Sequence, residues 1–256
     1  MTFLYPSAKT LRSLLLAGAA IVALSACASN RNSTPSPDYA GMPAAQSQAT
    51  LGELAGRYKS NPRDKGNVIH YAAALRAAGQ AGQAVAVLEV GIDTHPGDVD
   101  IAVAYAKALT ADGRFEQSLA VLDNVIRPDV PDWNALLVKG ATLDQMGRNG
   151  EARQFYTQAL TMAPAEASIE ANIGLSYAMT NELGAAEQHL RRAVQMRGAN
   201  SQIRQNLALI VGLQGRFDES RALYAAELPP EQVNNNMTYV RALLTQQNRW
   251  DAIAKN

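Results

Sequence analysis

The sequence contains one cysteine, Cys27, so no disulfide can form within the chain. It carries no excess of either charge: 23 Lys and Arg face 23 Asp and Glu. Nucleic-acid binders show a basic patch, and this balance argues against that class of partner. Aromatic residues make up only 6% while alanine is heavily used, as suits helices packed through small residues. Signatures of catalysis are missing too. His70, His95 and His189 stand far apart, and none belongs to an HExxH or similarly spaced metal motif. They read as structural or solvent-facing. No GxSxG elbow, phosphate-cradling glycine loop or second cysteine occurs, and Asp and Glu are scattered. The expectation is a non-enzymatic protein with no cofactor and no bound metal.

What the chain does have is a period. Gly79, Gly113, Gly147 and Gly215 are spaced by 34, 34 and 68 residues, and Asn181 fills the gap. Both residue types accept the positive φ that a tight turn after a helix demands. A small column keeps step with them: Ala72, Ala106, Gly140, Gly174 and Ala208. A second runs Ala84, Ser118, Ala152, Ala186 and Ser220, followed four residues on by large residues at Leu88, Leu122, Tyr156, Leu190 and Tyr224. The stretch 133–164 shows one unit whole: two amphipathic helices joined at Gly147 and stopped by Pro164. Such a hairpin cannot bury its apolar face alone and needs copies on either side.

A helix–turn–helix period of about 34 residues is the signature of tetratricopeptide repeats, and the chain resembles that family. The resemblance implies an all-α fold, an α-solenoid of five full repeats with partial caps. The repeats fall near 65–98, 99–132, 133–166, 167–200 and 201–233, with a partial unit at 234–256, and the repeat domain as a whole covers 51–256. The closing proline of the pattern survives at Pro96 and Pro164, with Pro131 displaced by one. Residues 51–60 read as the second helix of an incomplete leading repeat. At the other end, residues 235–247 read as a first helix, and Arg249-Trp250-Asp251 as the start of its partner, because Gln247-Asn248-Arg249-Trp250-Asp251 echoes Gln214-Gly215-Arg216-Phe217-Asp218.

Residues 1–26 read as a targeting segment. Lys9 and Arg12 precede an apolar run at 14–24 that is too short for a comfortable membrane span. Leu24-Ser25-Ala26-Cys27 resembles a bacterial lipobox, which implies cleavage before Cys27 and acylation of that cysteine. An ordinary secretory signal that happens to hold a cysteine is the alternative. Acyl chains contribute about 0.8 kcal/mol per buried methylene, enough for stable anchoring with several chains. Ala28 is not the Asp that marks inner-membrane retention in the bacterial sorting rule, so the resemblance implies an outer-membrane anchor facing the periplasm. Residues 27–50, rich in Ser, Pro, Asn, Gln and Thr, read as a disordered, lipidated tether with a reach of roughly 25–30 Å.

Helical spacing, with the small column turned toward the paired helix, places a candidate partner-binding groove on the first helices. Its expected lining is Ile69, Ala73 and Arg76; Val103, Lys107 and Thr110; Leu137, Ala141 and Asp144; Asn172, Leu175 and Met179; and Asn206, Leu209 and Leu213. An apolar, weakly charged groove suits an amphipathic or extended peptide segment. By resemblance, Asn172 and Asn206 match the column where peptide-binding repeats hold a ligand backbone. The basic residues of a carboxylate-gripping site do not accompany them. The competing reading is that the leucines pack between neighbouring helices and the asparagines only follow the repeat consensus.

Lipobox, tether and repeats together resemble the TadD family of Tad (tight adherence, Flp pilus) assembly lipoproteins. Leu228-Pro229-Pro230, followed by Asn234-Asn235-Asn236 at the start of the last helix, carries the finer part of that likeness. The resemblance implies a partner among the Tad assembly proteins, above all the secretin, helped to form its pore in the manner of a pilotin. A general outer-membrane scaffold for cell-envelope biogenesis shares every feature except that tail.

Overall fold

The computed structural model describes residues 44–127, 129 and 131–254, together with Tyr39 and Met42; side chains are described from residue 45 to residue 245. The targeting segment, Cys27 and most of the expected tether lie outside the described residues. Among the described residues are twelve α-helices and no strand. They fall into two compact units, one ending at Pro164 and the other running from Ala165.

The first unit holds α1 (Ala44–Ser60), α2 (Lys65–Ala77), α3 (Ala81–Thr94), α4 (Val99–Ala111), α5 (Phe115–Val125), α6 (Trp133–Gln145) and α7 (Asn149–Met162). The pairs α2/α3, α4/α5 and α6/α7 are antiparallel hairpins, and each first helix also packs on the next first helix, α2 on α4 and α4 on α6. Helix starts recur with the period. Asp64, Asp98 and Asp132 each accept from the backbone N–H three residues on, at 2.8, 3.1 and 2.9 Å. Each such cap contributes about 1 kcal/mol to its helix.

The hairpin turns are as regular. Gly79, Gly113 and Gly147 take φ of 74°, 79° and 75°. The next residue reaches back to the helix, as in Arg114 N to Leu109 O at 2.8 Å and Arg148 N to Leu143 O at 2.9 Å, the Schellman arrangement. Inside, Val68, Ile69, Leu75, Leu88, Ile101 and Leu109 form one core cluster; Val103, Leu122, Ala135 and Val138 form another.

The second unit holds α8 (Ala167–Met179), α9 (Leu183–Gln195), α10 (Ser201–Leu213), α11 (Phe217–Ala225) and α12 (Pro230–Ala254). Asn181 and Gly215 make its hairpin turns at φ 63° and 82°. Asn200 caps α10 through Ile203 N at 3.0 Å, whereas Glu166 makes no capping bond to α8. Leu190, Ile203, Leu207 and Ile210 anchor one cluster; Tyr224, Val233, Met237 and Val240 anchor the other.

Two expectations about the ends are corrected. The tether was to run to residue 50, but α1 is helical from Ala44. Alanine and glutamine dominate residues 44–50 and favour a helix, which buried Leu54 and partly buried Leu51 and Tyr58 then hold. The sixth unit was to turn near Asn248, but α12 runs unbroken to Ala254. No glycine or proline follows Pro230 in the sequence, so nothing there stops a helix.

Candidate functional site

Each pair of columns turns out to be one contact. Gly140 lies beneath Tyr156, and a methyl group added to it would meet the ring at 2.7 and 2.9 Å and closer still at Cε1. At Gly174 the same methyl would meet the Ala186 carbonyl oxygen and Leu190 Cγ, both at 2.9 Å. Ser118 and Ser220, on second helices, donate to the carbonyls of Ala106 and Ala208 at 3.0 and 2.7 Å. The small columns therefore set how closely the two helices of a hairpin approach.

In the first unit, the expected groove residues Ile69, Ala73, Val103, Lys107, Thr110, Leu137, Ala141 and Asp144 are all buried, and Arg76 is half-buried. Ile69 belongs to the first core cluster, and Val103 and Ala141 to the second. Those three pack helix on helix. Successive first helices pack on one another, as the competing reading of this face holds.

Polar residues of the set have partners of their own. Asp144 accepts from Tyr156 Oη at 2.8 Å and Asn149 Nδ2 at 2.7 Å. Burial first, and the Asp144 charge second, push the Tyr156 phenol well above its ordinary range. Thr110 Oγ1 lies 2.9 Å from Ser118 Oγ and 2.8 Å from Thr142 Oγ1, and the latter two lie 3.2 Å apart, a closed ring of buried hydroxyls joining α4, α5 and α6.

In the second unit, Asn172, Leu175, Asn206 and Leu209 are buried, and Met179 and Leu213 half-buried. Leu209 joins the cluster of Tyr224, Val233, Met237 and Val240. Asn172 Nδ2 donates to Ser168 O at 2.7 Å. Asn206 differs. Its Oδ1 accepts from Gln202 Nε2 at 3.1 Å, but its Nδ2 has no hydrogen-bond partner although the residue is only 2% exposed. A buried donor left unpaired costs about 1–3 kcal/mol, which an incoming acceptor would recover.

Sequence reasoning missed the ionic edge of this unit. Glu187 accepts from Arg216 Nη1 and Nη2 at 2.8 and 2.9 Å, from Gln214 Nε2 at 2.8 Å and from Arg191 Nε at 2.8 Å. The Arg216 bonds above all hold its carboxyl at about 2, below the ordinary 4.5. Buried Glu170 lies 2.6 Å from His189 Nδ1 and accepts from Arg192 Nε at 3.2 Å, so His189 is structural. The signal existed in sequence only as charged residues on neighbouring helices. Among the described residues no cluster of three or more His, Cys, Asp or Glu is placed to hold a metal ion. Nor is any helix among them long and apolar enough to cross a membrane.

Two family models, each described as tetratricopeptide repeat, match residues 75–139 and 134–166. Residues 75–166 carry the tetratricopeptide repeat pattern. Three solved structures extend the likeness. A tetratricopeptide repeat protein from Parabacteroides merdae superposes with a TM-score of 0.65 at 9% identity, over 77% of this chain and 78% of that one. A thermophilic TPR protein of Thermus thermophilus gives 0.61 at 22% identity, over 71% of this chain and all of that one. Human IFIT1, solved as a dimer with m7Gppp-AAAA, gives 0.58 at 13% identity, over 70% of this chain and 46% of that one. At these identities the likeness shows the fold alone. No curated protein matches the sequence. Tetratricopeptide repeats mediate protein–protein interactions, and proteins built from them are generally non-catalytic scaffolds.

Proposed function

We propose that this tetratricopeptide protein is a lipid-anchored periplasmic scaffold of the outer membrane that captures a protein of the Tad (Flp pilus) assembly machinery, in the first instance the secretin, and supports its assembly as a pilotin does. The observation that carries the capture reading is Asn206: a buried side-chain donor with no partner, in the same repeat column as Asn172. An extended segment of a client protein supplies the missing acceptor through its backbone carbonyls. Specificity for Tad rests on the tail Leu228-Pro229-Pro230 with its asparagine-rich continuation, and the lipobox at Cys27 supports the anchor. The lipid raises the local concentration of the scaffold at the membrane, which strengthens capture without any new contact.

Two variants test the parts separately. Cys27→Ser should abolish lipid labelling and release the protein into the soluble periplasm; unchanged membrane fractionation contradicts the anchor. Asn206→Ala should lower recovery of the secretin from native envelope about tenfold, the loss of one buried hydrogen bond, while thermal stability holds or rises. Equal recovery by the variant removes Asn206 from the site. Recovery of other envelope proteins in place of any secretin overturns the Tad assignment.

A further inference from the structure

Residues 168 and 172 of α8 recur 34 residues on as residues 202 and 206 of α10, and the two asparagines of this column are turned opposite ways. Asn172 points its nitrogen back along its own helix, where Nδ2 donates to the Ser168 carbonyl at 2.7 Å. Asn206 points its oxygen back instead: Oδ1 accepts from Gln202 Nε2 at 3.1 Å, and Nδ2 has no partner. Both residues are buried, with 4% and 2% of their surface exposed. A side-chain amide carries its acceptor and its donors on opposite edges of one plane, so placing the oxygen also places the nitrogen.

What differs is the residue four positions earlier. The Ser168 hydroxyl is engaged by Glu166, donating to Oε1 at 3.0 Å, and Asn172 takes the backbone carbonyl of residue 168. Gln202, half-buried in the first turn of α10, instead extends its own amide to Asn206 Oδ1. The Gln202 carbonyl holds the same place in α10 as the Ser168 carbonyl in α8, so the turn made by Asn172 would pair the Asn206 nitrogen as well. Asn206 forgoes that bond. A buried donor left unpaired is costly, and the bond from Gln202 is what offsets it.

We propose, on the capture reading of Asn206 given above, that Gln202 is the positioning residue of the site: it holds the Asn206 amide with Nδ2 presented to a hydrogen-bond acceptor of the client. Asn172, closed on its own helix, does not grip the client through Nδ2. Of the two asparagines only Asn206 is set for capture, and Gln202 makes the site select a carbonyl over a donor group at that point.

The first arm of the test needs no client. In the full chain carrying Cys27→Ser, purified without lipid, heteronuclear NMR reads the Asn206 side-chain amide, identified as the signal missing from Asn206→Ala. Gln202→Ala should free Oδ1, let the amide turn, and move one amide proton downfield as Nδ2 bonds to the carbonyl of residue 202. The melting temperature should hold or rise although a hydrogen bond has been deleted. An amide signal unmoved by Gln202→Ala, or a lowered melting temperature without the shift, overturns the proposal, because Gln202 is then a structural residue.

The second arm reads recovery of the secretin from native envelope by the chain with Cys27 intact. Gln202→Ala should lower recovery about fivefold, the worth of one net hydrogen bond. In an Asn206→Ala background it should lower recovery no further, since it acts through Asn206. Gln202→Glu should lower it at least about tenfold, because an ionised carboxylate only accepts: it draws Nδ2 to itself and leaves Oδ1 facing the client's carbonyl. Recovery by Gln202→Glu equal to the parent overturns the proposal, since the Asn206 nitrogen then already faces residue 202. No secretin with the parent, or equal recovery by Asn206→Ala, defeats the capture reading instead, and the amide signal decides the hold of Gln202 by itself.

Discussion

In the unit ending at Pro164, one set of polar atoms between helices is buried and bonded to one another: the hydroxyls of Thr110, Ser118 and Thr142, and Asp144 with Tyr156 and Asn149. In the unit from Ala165, the buried carboxylates Glu187 and Glu170 instead pair with arginines that reach out to water. The period and the hairpin turns are the same in both. The comparison teaches that a repeat fixes where small and large residues must stand and leaves open how polar atoms are satisfied. Buried hydrogen bonds make one unit sensitive to single-atom deletions; arginine–carboxylate pairs make the other sensitive to acid and salt.

The largest effect should come from closing the tightest approach in the first unit. Gly140→Ala places a methyl against the fully buried Tyr156 ring. Overpacking of this kind costs about 1–3 kcal/mol, more than the roughly 1 kcal/mol gained in helix propensity. Denaturant melts should show a net loss, and Tyr156→Leu should relieve it in the double variant, since Ala with Leu is the pair found at Ala72/Leu88 and Ala106/Leu122. No coupling between the two sites would break the column reading.

Next comes Tyr156→Phe, which leaves Asp144 short of one donor in a buried site. A loss of about 1–3 kcal/mol is expected. The raised phenol also carries a pH signature. A group whose folded pKa lies above its unfolded value stabilises fully below the unfolded value near 10 and loses that contribution as pH rises beyond it. The variant should therefore lose less stability than the parent between neutral pH and strong alkali.

Glu187→Gln should act less strongly and with the opposite pH sign. The carboxyl titrates at about 2 when folded, against an ordinary 4.5. Its contribution is therefore complete above pH 4.5 and lost as pH falls through about 2. Hydrogen exchange at α9 should show this acid limb in the parent and a flatter one in the variant. An identical limb would detach the ionic edge from the stability of that unit. The smallest effect belongs to Asn181→Gly at φ 63°, where both residue types are at home; a shift within about 0.5 kcal/mol is expected. A larger change would mean that the asparagine side chain matters to the turn.

Much of this was legible in the sequence because period and residue size are local facts. The columns headed by Ala72, Ala84 and Leu88 were readable as a pattern, and the turn residues Gly79 to Gly215 with Asn181 all adopt the left-handed backbone anticipated for them. A further column, Asp64, Asp98, Asp132 and Asn200, was equally legible as helix caps. The groove was legible as a face and not as a set of contacts. Ile69, Val103, Ala141 and Leu209 stand at the right spacing to line it, yet successive first helices use those side chains against each other.

By itself, then, the amino-acid order determined helix type, hairpin spacing and the positions that must be small, since each depends on neighbours at most a turn or a hairpin away. Only the tertiary structure decided which polar atoms meet and that Asn206 keeps an unpaired donor. Those outcomes depend on side chains brought together in space by the packing of helices. A one-dimensional pattern carries no distance between such groups.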